Sequence, residues 1–314
     1  MRPSVLFALS VLVLLVAPFA GQIALDWHAL GVPRSVDAQI LFDIRIPRVL
    51  LAFLVGGVLS LGGLLFQTLF RNELSTPFTL GTAGAATLFA AVSITLGLQN
   101  LTPLFAFGGA LASVALLFAL HTRFGRGDTA TLLLTGVALS FFYAAALMLV
   151  YYLSDLQENY EIMRFSMGGL DIVGYDALPF LAAAAAVLLG VALAMRRTVR
   201  TLAASHEYAL LNGIHVTRAA YIILGAVSLA VGAAVSLAGP IGFIGLIVPH
   251  LIRRIYRQSV DRLILPAFFY GGVFLVLCDT VARTSGTASD IPVGVVTAFI
   301  GAPFFVYMLL RRKR

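Results

Sequence analysis

Few residues in this sequence have the type and spacing that chemistry requires. Asp279 is the clear acidic residue inside a long apolar stretch, and Arg283 follows it by four residues. Residues four apart share one face of a helix, so we expect the two side chains to form a structural ion pair. We favour this pairing over a role in proton transfer, because other carboxylates are almost absent from the apolar stretches.

Motifs for catalysis, nucleotide binding and metal binding are absent from the sequence. It contains no GxxxxGK[ST], HExxH or GxSxG pattern, and its five histidines, His28, His121, His206, His215 and His250, are scattered. The single cysteine, Cys278, has no cysteine or histidine cluster around it. We therefore predict no catalytic residue, no metal site and no cofactor bound by this chain, and we place any ATP hydrolysis on a separate polypeptide.

The composition identifies the class of protein. Of 314 residues, 60% are hydrophobic and 11% charged, and the mean hydropathy is +0.99. Soluble domains have about 45–50% apolar and about 25% charged residues. A soluble enzyme, a disordered chain and a nucleic-acid-binding domain are thereby excluded, and continuous apolar runs favour an all-α integral membrane protein. The net charge of +7 then reflects arginines in cytoplasmic loops, not nucleic-acid binding.

The apolar runs predict about ten transmembrane helices in one domain, 1–314, with both termini in the cytoplasm. The runs are 5–25, 49–70, 79–98, 101–121, 129–152, 177–195, 219–238, 241–256, 263–282 and 291–310. This arrangement leaves 16 of the 21 lysines and arginines on the cytoplasmic side, as the positive-inside rule requires. The seventh and eighth runs are joined only by Gly239-Pro240, and merging them would move Arg253 to Arg262 outside.

Three stretches of sequence are similar to the FecCD-type permeases of ABC importers. The first leads from Arg45-Ile-Pro-Arg48 to Phe70-Arg71-Asn72-Glu73-Leu74-Ser75-Thr76-Pro77, with Glu73 where the family usually has proline. The second runs from Gly239-Pro240 to Arg253, and the third from Asp279 to Phe304. The family-motif positions are Asn72, Pro77, Gly242, Pro249, His250, Arg253, Pro292 and Gly294. The likeness extends from about residue 40 to the C-terminus and is weak in the first apolar run.

The resemblance implies the type II ABC importer permease fold in the bacterial inner membrane. It also implies a second permease copy, which we expect to make a homodimer, two ATPase subunits that bind ATP and Mg, and a periplasmic substrate-binding protein. The expected cargo is a ferric siderophore, with haem and cobalamin as alternatives from the same family. An ion-coupled secondary transporter and an intramembrane enzyme remain as alternatives from other classes.

The cytoplasmic loop 196–218 is expected to couple the permease to the ATPase. It contains Glu207, Ala209 and Gly213, a pattern similar to the EAA---G loop of importer permeases, with Tyr208 in place of the first alanine. Because glycine permits a sharp turn, we expect two short helical pieces broken at Gly213.

The family resemblance also assigns roles on the outer face. Arg45, Arg48 and Arg283 are a large share of the few outer cations, and arginines at matching positions in the family pair with glutamates of the binding protein. The alternative is that these side chains extend toward lipid phosphates. The acidic and aromatic segment 153–176 is expected to contain a short helix near the periplasmic mouth.

Overall fold

The computed structural model describes residues 3–23, 26, 35–124, 129–285 and 291–312. Across those ranges the regular structure is helical, without strands. The α-helices are α1 (Pro3–Val16), α2 (Val36–Gln39), α3 (Ile46–Leu69), α4 (Thr82–Thr95), α5 (Thr102–Phe124), α6 (Thr129–Leu153), α7 (Leu156–Met167), α8 (Leu178–Ala194), α9 (Arg196–Ala204), α10 (His206–Leu211), α11 (Val216–Ala238), α12 (Ile244–Tyr256), α13 (Ile264–Ser285) and α14 (Val293–Arg312). A π-helical turn, Ile40–Arg45, joins α2 to α3.

Each of the ten predicted apolar runs contains one helix, and α2, α7, α9 and α10 are short connecting helices. In the described ranges, five helical stretches are long and apolar enough to cross a membrane: Val36–Leu69, Gln99–Arg123, Thr131–Leu153, Val216–Ala238 and Ile264–Ser285. A sixth results if α8 and α9, which meet at an angle of 63°, are taken as one span. The apolar parts of α1, α4 and α14 are shorter. The count of ten spans and the cytoplasmic position of both termini therefore remain predictions.

Helix α3 lies at the centre of the bundle, where it packs against α8, α11, α12 and α13. Small residues allow this close packing. A methyl group added at Gly56 would lie 2.3 Å from the carbonyl oxygen of Gly271 on α13, and one at Gly63 would lie 2.1 Å from that of Gly245 on α12. Both distances are far below van der Waals contact, so α3 meets these helices backbone to backbone, as small residues allow in membrane proteins.

The chain bends sharply between α11 and α12, at the Gly239-Pro240 junction predicted from the sequence. Gly239 has φ +63° and Phe243, which immediately precedes α12, has φ +68°. Positive φ is uncommon for a residue with a large side chain. The Phe243 ring packs directly on the backbone of α14, because a methyl group added at Gly301 would lie 2.3 Å from its Cγ.

Candidate functional site

Buried charges meet at the end of α3 that the predicted topology places on the periplasmic side, here called the outer end. Arg48 Nε donates a hydrogen bond to Asp279 Oδ1 at 2.8 Å, and Arg283 Nε lies 3.1 Å from Asp279 Oδ2. The Asp279 side chain is completely buried. We call these three residues the outer ion cluster. A buried carboxylate is stable only when it is paired in this way, so the cluster fixes α3 against α13.

Two arginines at the outer end also hold the chain that follows α1. Arg283 donates hydrogen bonds to the carbonyl oxygens of Ala17 at 2.7 Å and Ala20 at 2.8 Å. Arg45 donates to the carbonyl of Phe19 at 3.2 Å and to that of Ile23. The segment from Ala17 to Ile23 is thus attached through its own backbone to α13 and to the π-helical turn that precedes α3.

The structure places the three arginines of the expected binding-protein surface together, but it buries them. The exposed fractions are 6% for Arg45, 9% for Arg48 and 5% for Arg283. Their guanidinium groups contact Asp279 and backbone carbonyls within the chain. A docking role would require exposed charge, so that role stays a prediction, whereas the expected contact between Asp279 and Arg283 is present.

Helix α7 lies at the outer end and is the short helix expected in segment 153–176. It begins with a capping box between Asp155 and Glu158, a favourable N-terminal arrangement. In its last turn, Arg164 Nη2 donates a hydrogen bond to Asp171 Oδ2 at 2.8 Å. This bond and the charge of Asp171 raise the pKa of the Arg164 guanidinium above its usual value. Arg164 therefore stays charged in this exposed position.

Motif residues Pro292 and Gly294 explain how α14 packs against the outer connector. A methyl group added at Gly294 would lie 2.1 Å from the carbonyl oxygen of Met167, the last residue of α7. The Gly294 amide donates to the carbonyl of Gly168 at 3.3 Å. Pro292 precedes α14, and its carbonyl accepts from Val295 at 3.0 Å. Only glycine permits this contact at position 294.

Motif residues Asn72 and Pro77 shape the turn between α3 and α4. The Asn72 side chain accepts a hydrogen bond from the Leu74 amide at 2.9 Å, and the Asn72 carbonyl accepts from the Ser75 amide at 3.1 Å. Buried Pro77 begins a 3-10 turn, Pro77–Leu80, which a capping box at Thr76 and Thr79 stabilises. Asparagine favours such turns because its side chain bonds the nearby backbone.

The second motif forms α12 and its approach. The carbonyl of Gly242 accepts from the Ile244 amide at 2.9 Å, and Pro249 lies buried inside the helix. The His250 ring packs against Phe304 of α14, with 6.3 Å between ring centroids. Arg253 Nη2 lies 3.5 Å from the Thr68 hydroxyl oxygen near the inner end of α3. Pro249, His250 and Arg253 therefore contact or lie within the helix bundle, whereas a methyl group added at Gly242 would meet no atom within 4 Å.

The predicted coupling loop contains two short helices, α9 and α10, but the break between them lies elsewhere than expected. The helices separate at Ser205, whose hydroxyl oxygen accepts from the Tyr208 amide at 2.8 Å and so caps α10. Gly213 instead follows α10, at φ +73°, a conformation that glycine adopts without strain. The predicted break at Gly213 is present, since α10 ends at Leu211 and α11 begins at Val216, but the two short helices are divided at Ser205, because its side chain caps α10.

One hydrogen bond ties α10 directly to α3. His206 Nε2 lies 3.0 Å from the carbonyl oxygen of Leu69, the last residue of α3. Carbonyls at a helix C-terminus have no partner within the helix, so the imidazole satisfies one of them. Glu207 is exposed and Ala209 is fully buried. Ala209 thus anchors α10 to the protein, while Glu207 faces outward.

A comparison with known protein families shows which family the chain belongs to. The model of the FecCD transport family matches residues 5–311. The chain belongs to the FecCD transport family. It is 37% identical to the hemin transport system permease protein HmuU of Yersinia pestis, over 98% of this chain and 95% of that protein. It is 38% identical to the cobalamin import system permease protein BtuC of Halobacterium salinarum, over 90% of this chain and 76% of that protein.

A solved structure has the same architecture as this FecCD permease. It is an inward-facing conformation of a metal-chelate type ABC transporter, 28% identical, with a TM-score of 0.85 over 99% of this chain and 100% of the other. The chain is therefore a multi-pass protein of the bacterial inner membrane with the type II importer permease fold. It is the permease of an ABC importer for haem, cobalamin or iron chelates, and so a transport subunit.

Sequence reasoning missed three contacts in this FecCD permease. They are the bonds of Arg48 to Asp279, of His206 to Leu69 and of Arg164 to Asp171. The first two join residues 231 and 137 positions apart, and no periodicity in the sequence reports such separations. The third joins residues only seven apart, and the opposite charges in segment 153–176 were the available signal.

Proposed function

We propose that this permease moves a ferric siderophore, or a similarly bulky iron chelate, from the periplasm to the cytoplasm. The metal-chelate type transporter of the same fold supports this cargo. Haem and cobalamin are the alternatives, because the similar permeases of Yersinia pestis and Halobacterium salinarum are named for hemin and cobalamin. Two separate ATPase subunits, which bind ATP and Mg, would supply the energy.

The surface of α10 is the observation that carries the ATP-driven mechanism. Tyr208 is 52% exposed, Leu210 61% and Leu211 86%, although Ala209 between them is buried. Apolar side chains clustered on a cytoplasmic helix suit a protein partner better than water. We propose that the ATPase docks on α10 and that its closure is transmitted through loop 196–218.

A second permease copy would cover part of α6. This helix exposes large apolar side chains along most of its length, including Phe141 at 72%, Met148 at 72% and Tyr152 at 85%. We propose a homodimer in which α6 faces the partner across the pathway; the alternative is that this face contacts lipid. The variant Met148→Cys should form a disulfide-linked dimer under oxidising conditions if α6 faces the second copy. If α6 faces lipid, the variant should remain monomeric.

The periplasmic binding protein would dock at the outer end. Arg45, Arg48 and Arg283 are proposed to meet its acidic residues, which requires their guanidinium groups to leave the partners described above. Charge pairs at the rim of a docking surface mainly set orientation and association rate, and salt weakens them. Arg45→Gln should therefore weaken docking at low salt, and unchanged binding at low salt would contradict this role.

Reconstitution tests the proposed function directly. The permease, its ATPase and its binding protein are placed in proteoliposomes, and uptake of a radiolabelled ferric siderophore is measured with and without ATP. ATP-dependent accumulation is expected. Accumulation driven by an ion gradient without ATP would instead identify a secondary transporter, and selective uptake of haem or cobalamin would assign the alternative cargo.

Deleting residues 205–215 tests the coupling loop in the same system. The deletion removes α10 and the turn at Gly213 while leaving the spanning helices in place. The subunit should still fold, but ATP hydrolysis should no longer drive uptake. Normal uptake by the deletion variant would disprove the assignment of this loop.

A further inference from the structure

The ion pair between Arg164 and Asp171 borders two cavities at the outer end. One cavity, of about 320 Å³, is lined by both residues and by Arg48, Tyr160, Met163 and Met167; we call it the outer cavity. The other, of about 300 Å³, is also lined by both residues of the pair and by Glu161. The side chains of Arg164 and Asp171 are 64% and 52% exposed, so solutes in either cavity reach the pair.

Asp171 has two arginines within reach. Its Oδ2 accepts the hydrogen bond from Arg164 at 2.8 Å, while its Oδ1 lies 3.9 Å from Nη1 of Arg48. If the carboxylate of a bound solute took the place of Asp171 on Arg164, the Asp171 carboxylate would remain next to the Arg48 guanidinium. After this exchange each carboxylate would still have an arginine partner. The free-energy cost of the rearrangement is therefore low.

The small stabilisation that the Arg164–Asp171 ion pair contributes also favours the exchange of partners. An ion pair exposed to this extent contributes little to stability, because water screens both charges and each side chain loses conformational freedom. A carboxylate that brings apolar contacts of its own can therefore displace Asp171 from Arg164. Met163 and Met167 supply an adaptable apolar wall for those contacts in the outer cavity.

We propose that the outer cavity binds an acidic arm of the cargo, with Arg164 as the residue that receives the carboxylate and Asp171 as the group it displaces. This inference rests on the proposed function and narrows its cargo to iron chelates that carry carboxylates. The neighbouring cavity is less suitable, because the Glu161 carboxylate on its wall would repel an acid.

Binding measurements with a matched pair of probes test the proposal. The permease with its ATPase is reconstituted in nanodiscs, and equilibrium binding of haemin, which carries two propionates, is compared with that of haemin dimethyl ester, which carries none. One charge-assisted hydrogen bond corresponds to about tenfold in affinity. We expect haemin to bind about tenfold more tightly than the ester.

Variants at the ion pair give opposite outcomes. Arg164→Gln should reduce the preference for haemin to about twofold or less, while Asp171→Asn should increase haemin affinity by several-fold, because the competing carboxylate is gone. Binding of the ester should change little in both. Arg200→Gln, which removes an exposed arginine on the predicted cytoplasmic side, is the matched control and should leave the preference intact.

Several results would overturn the proposal. If the pair only stabilises α7, both variants should weaken binding of haemin and of the ester alike. If Arg164 serves the binding protein, Arg164→Gln should lower binding-protein affinity and leave the probe preference unchanged. Failure of the proposed transport function can be told apart from failure of this cavity proposal. In that case the proteoliposomes would show no ATP-dependent uptake of any iron chelate.

Discussion

The two ends of α3 are held in contrasting ways. At the outer end, Arg48 and Asp279 form part of a buried ion cluster in which the carboxylate is fully shielded from water. At the inner end no carboxylate takes part in the contacts described: His206 reaches the carbonyl of Leu69, Gln67 Nε2 donates to the carbonyl of Gly245 at 2.8 Å, and Arg253 Nη2 lies 3.5 Å from the Thr68 hydroxyl. The difference indicates that buried charge fixes the outer end of the helix, whereas hydrogen bonds and backbone packing hold the inner end, next to the exposed apolar side chains of α10.

Removing the central carboxylate should produce the largest effect. Asp279→Asn leaves Arg48 and Arg283 without the carboxylate charge they share, and breaking a buried pair typically costs about 3–5 kcal/mol. We expect a marked loss of thermal stability of the purified permease in detergent. Asp155→Asn, which changes an exposed carboxylate, is the control and should cost far less. Similar stability of both variants would remove the contrast between the two ends.

A substitution at Gly63, in the second half of α3, tests whether close backbone contact, as well as charge, holds the helix in place. Gly63→Ala places a methyl group 2.1 Å from the carbonyl oxygen of Gly245, so α3 and α12 must separate. Overpacking of this kind costs about 1–3 kcal/mol, which should appear as a lower unfolding temperature. Gly190→Ala, where a methyl group meets open space, should leave the temperature unchanged or higher. A stable Gly63→Ala variant would contradict the close packing.

The hydrogen bond between His206 and Leu69 predicts that its loss changes the coupling of ATP hydrolysis to transport, with little change in the thermal stability of the permease. His206→Ala removes the bond to Leu69 and should reduce cargo transported per ATP hydrolysed by up to about fivefold, since a hydrogen bond contributes about 1 kcal/mol. His206→Gln, which keeps a donor, should recover part of the loss. His215→Ala in the same loop is the control, because His215 is exposed. Equal coupling in all three variants would show that α10 acts without this bond.

The smallest effect is expected at the turn after α10. Gly213 has φ +73° and no neighbour within 4 Å of an added methyl group, so Gly213→Ala introduces backbone strain without a clash. The cost is about 1 kcal/mol, confined to a turn on the predicted cytoplasmic side. Unfolding of the whole permease should be nearly unaffected, while coupling should fall slightly. A large drop in unfolding temperature would mean that this turn supports the bundle.

Local features of the fold could be predicted from the sequence, whereas contacts between distant segments could not. Apolar runs located a helix in each of the ten predicted segments, and the four-residue spacing of Asp279 and Arg283 indicated their contact. The partnership of Arg48 with Asp279 joins two helices that no sequence spacing connects. The burial of Arg45 also could not be foreseen, because its partners are backbone carbonyls, which every residue possesses.

The attachment of the segment after α1 has a consequence for sequence variation. Arg45 and Arg283 recognise carbonyl oxygens of Ala17, Phe19, Ala20 and Ile23, and those oxygens persist whatever side chains replace the present ones. The side chains of this stretch can therefore change while its anchorage survives. The family model includes the stretch, because it matches the chain from residue 5 and not only from about residue 40 as the sequence motifs indicated. Gly21 should be the exception, since any side chain there would begin 2.7 Å from Nη2 of Arg45.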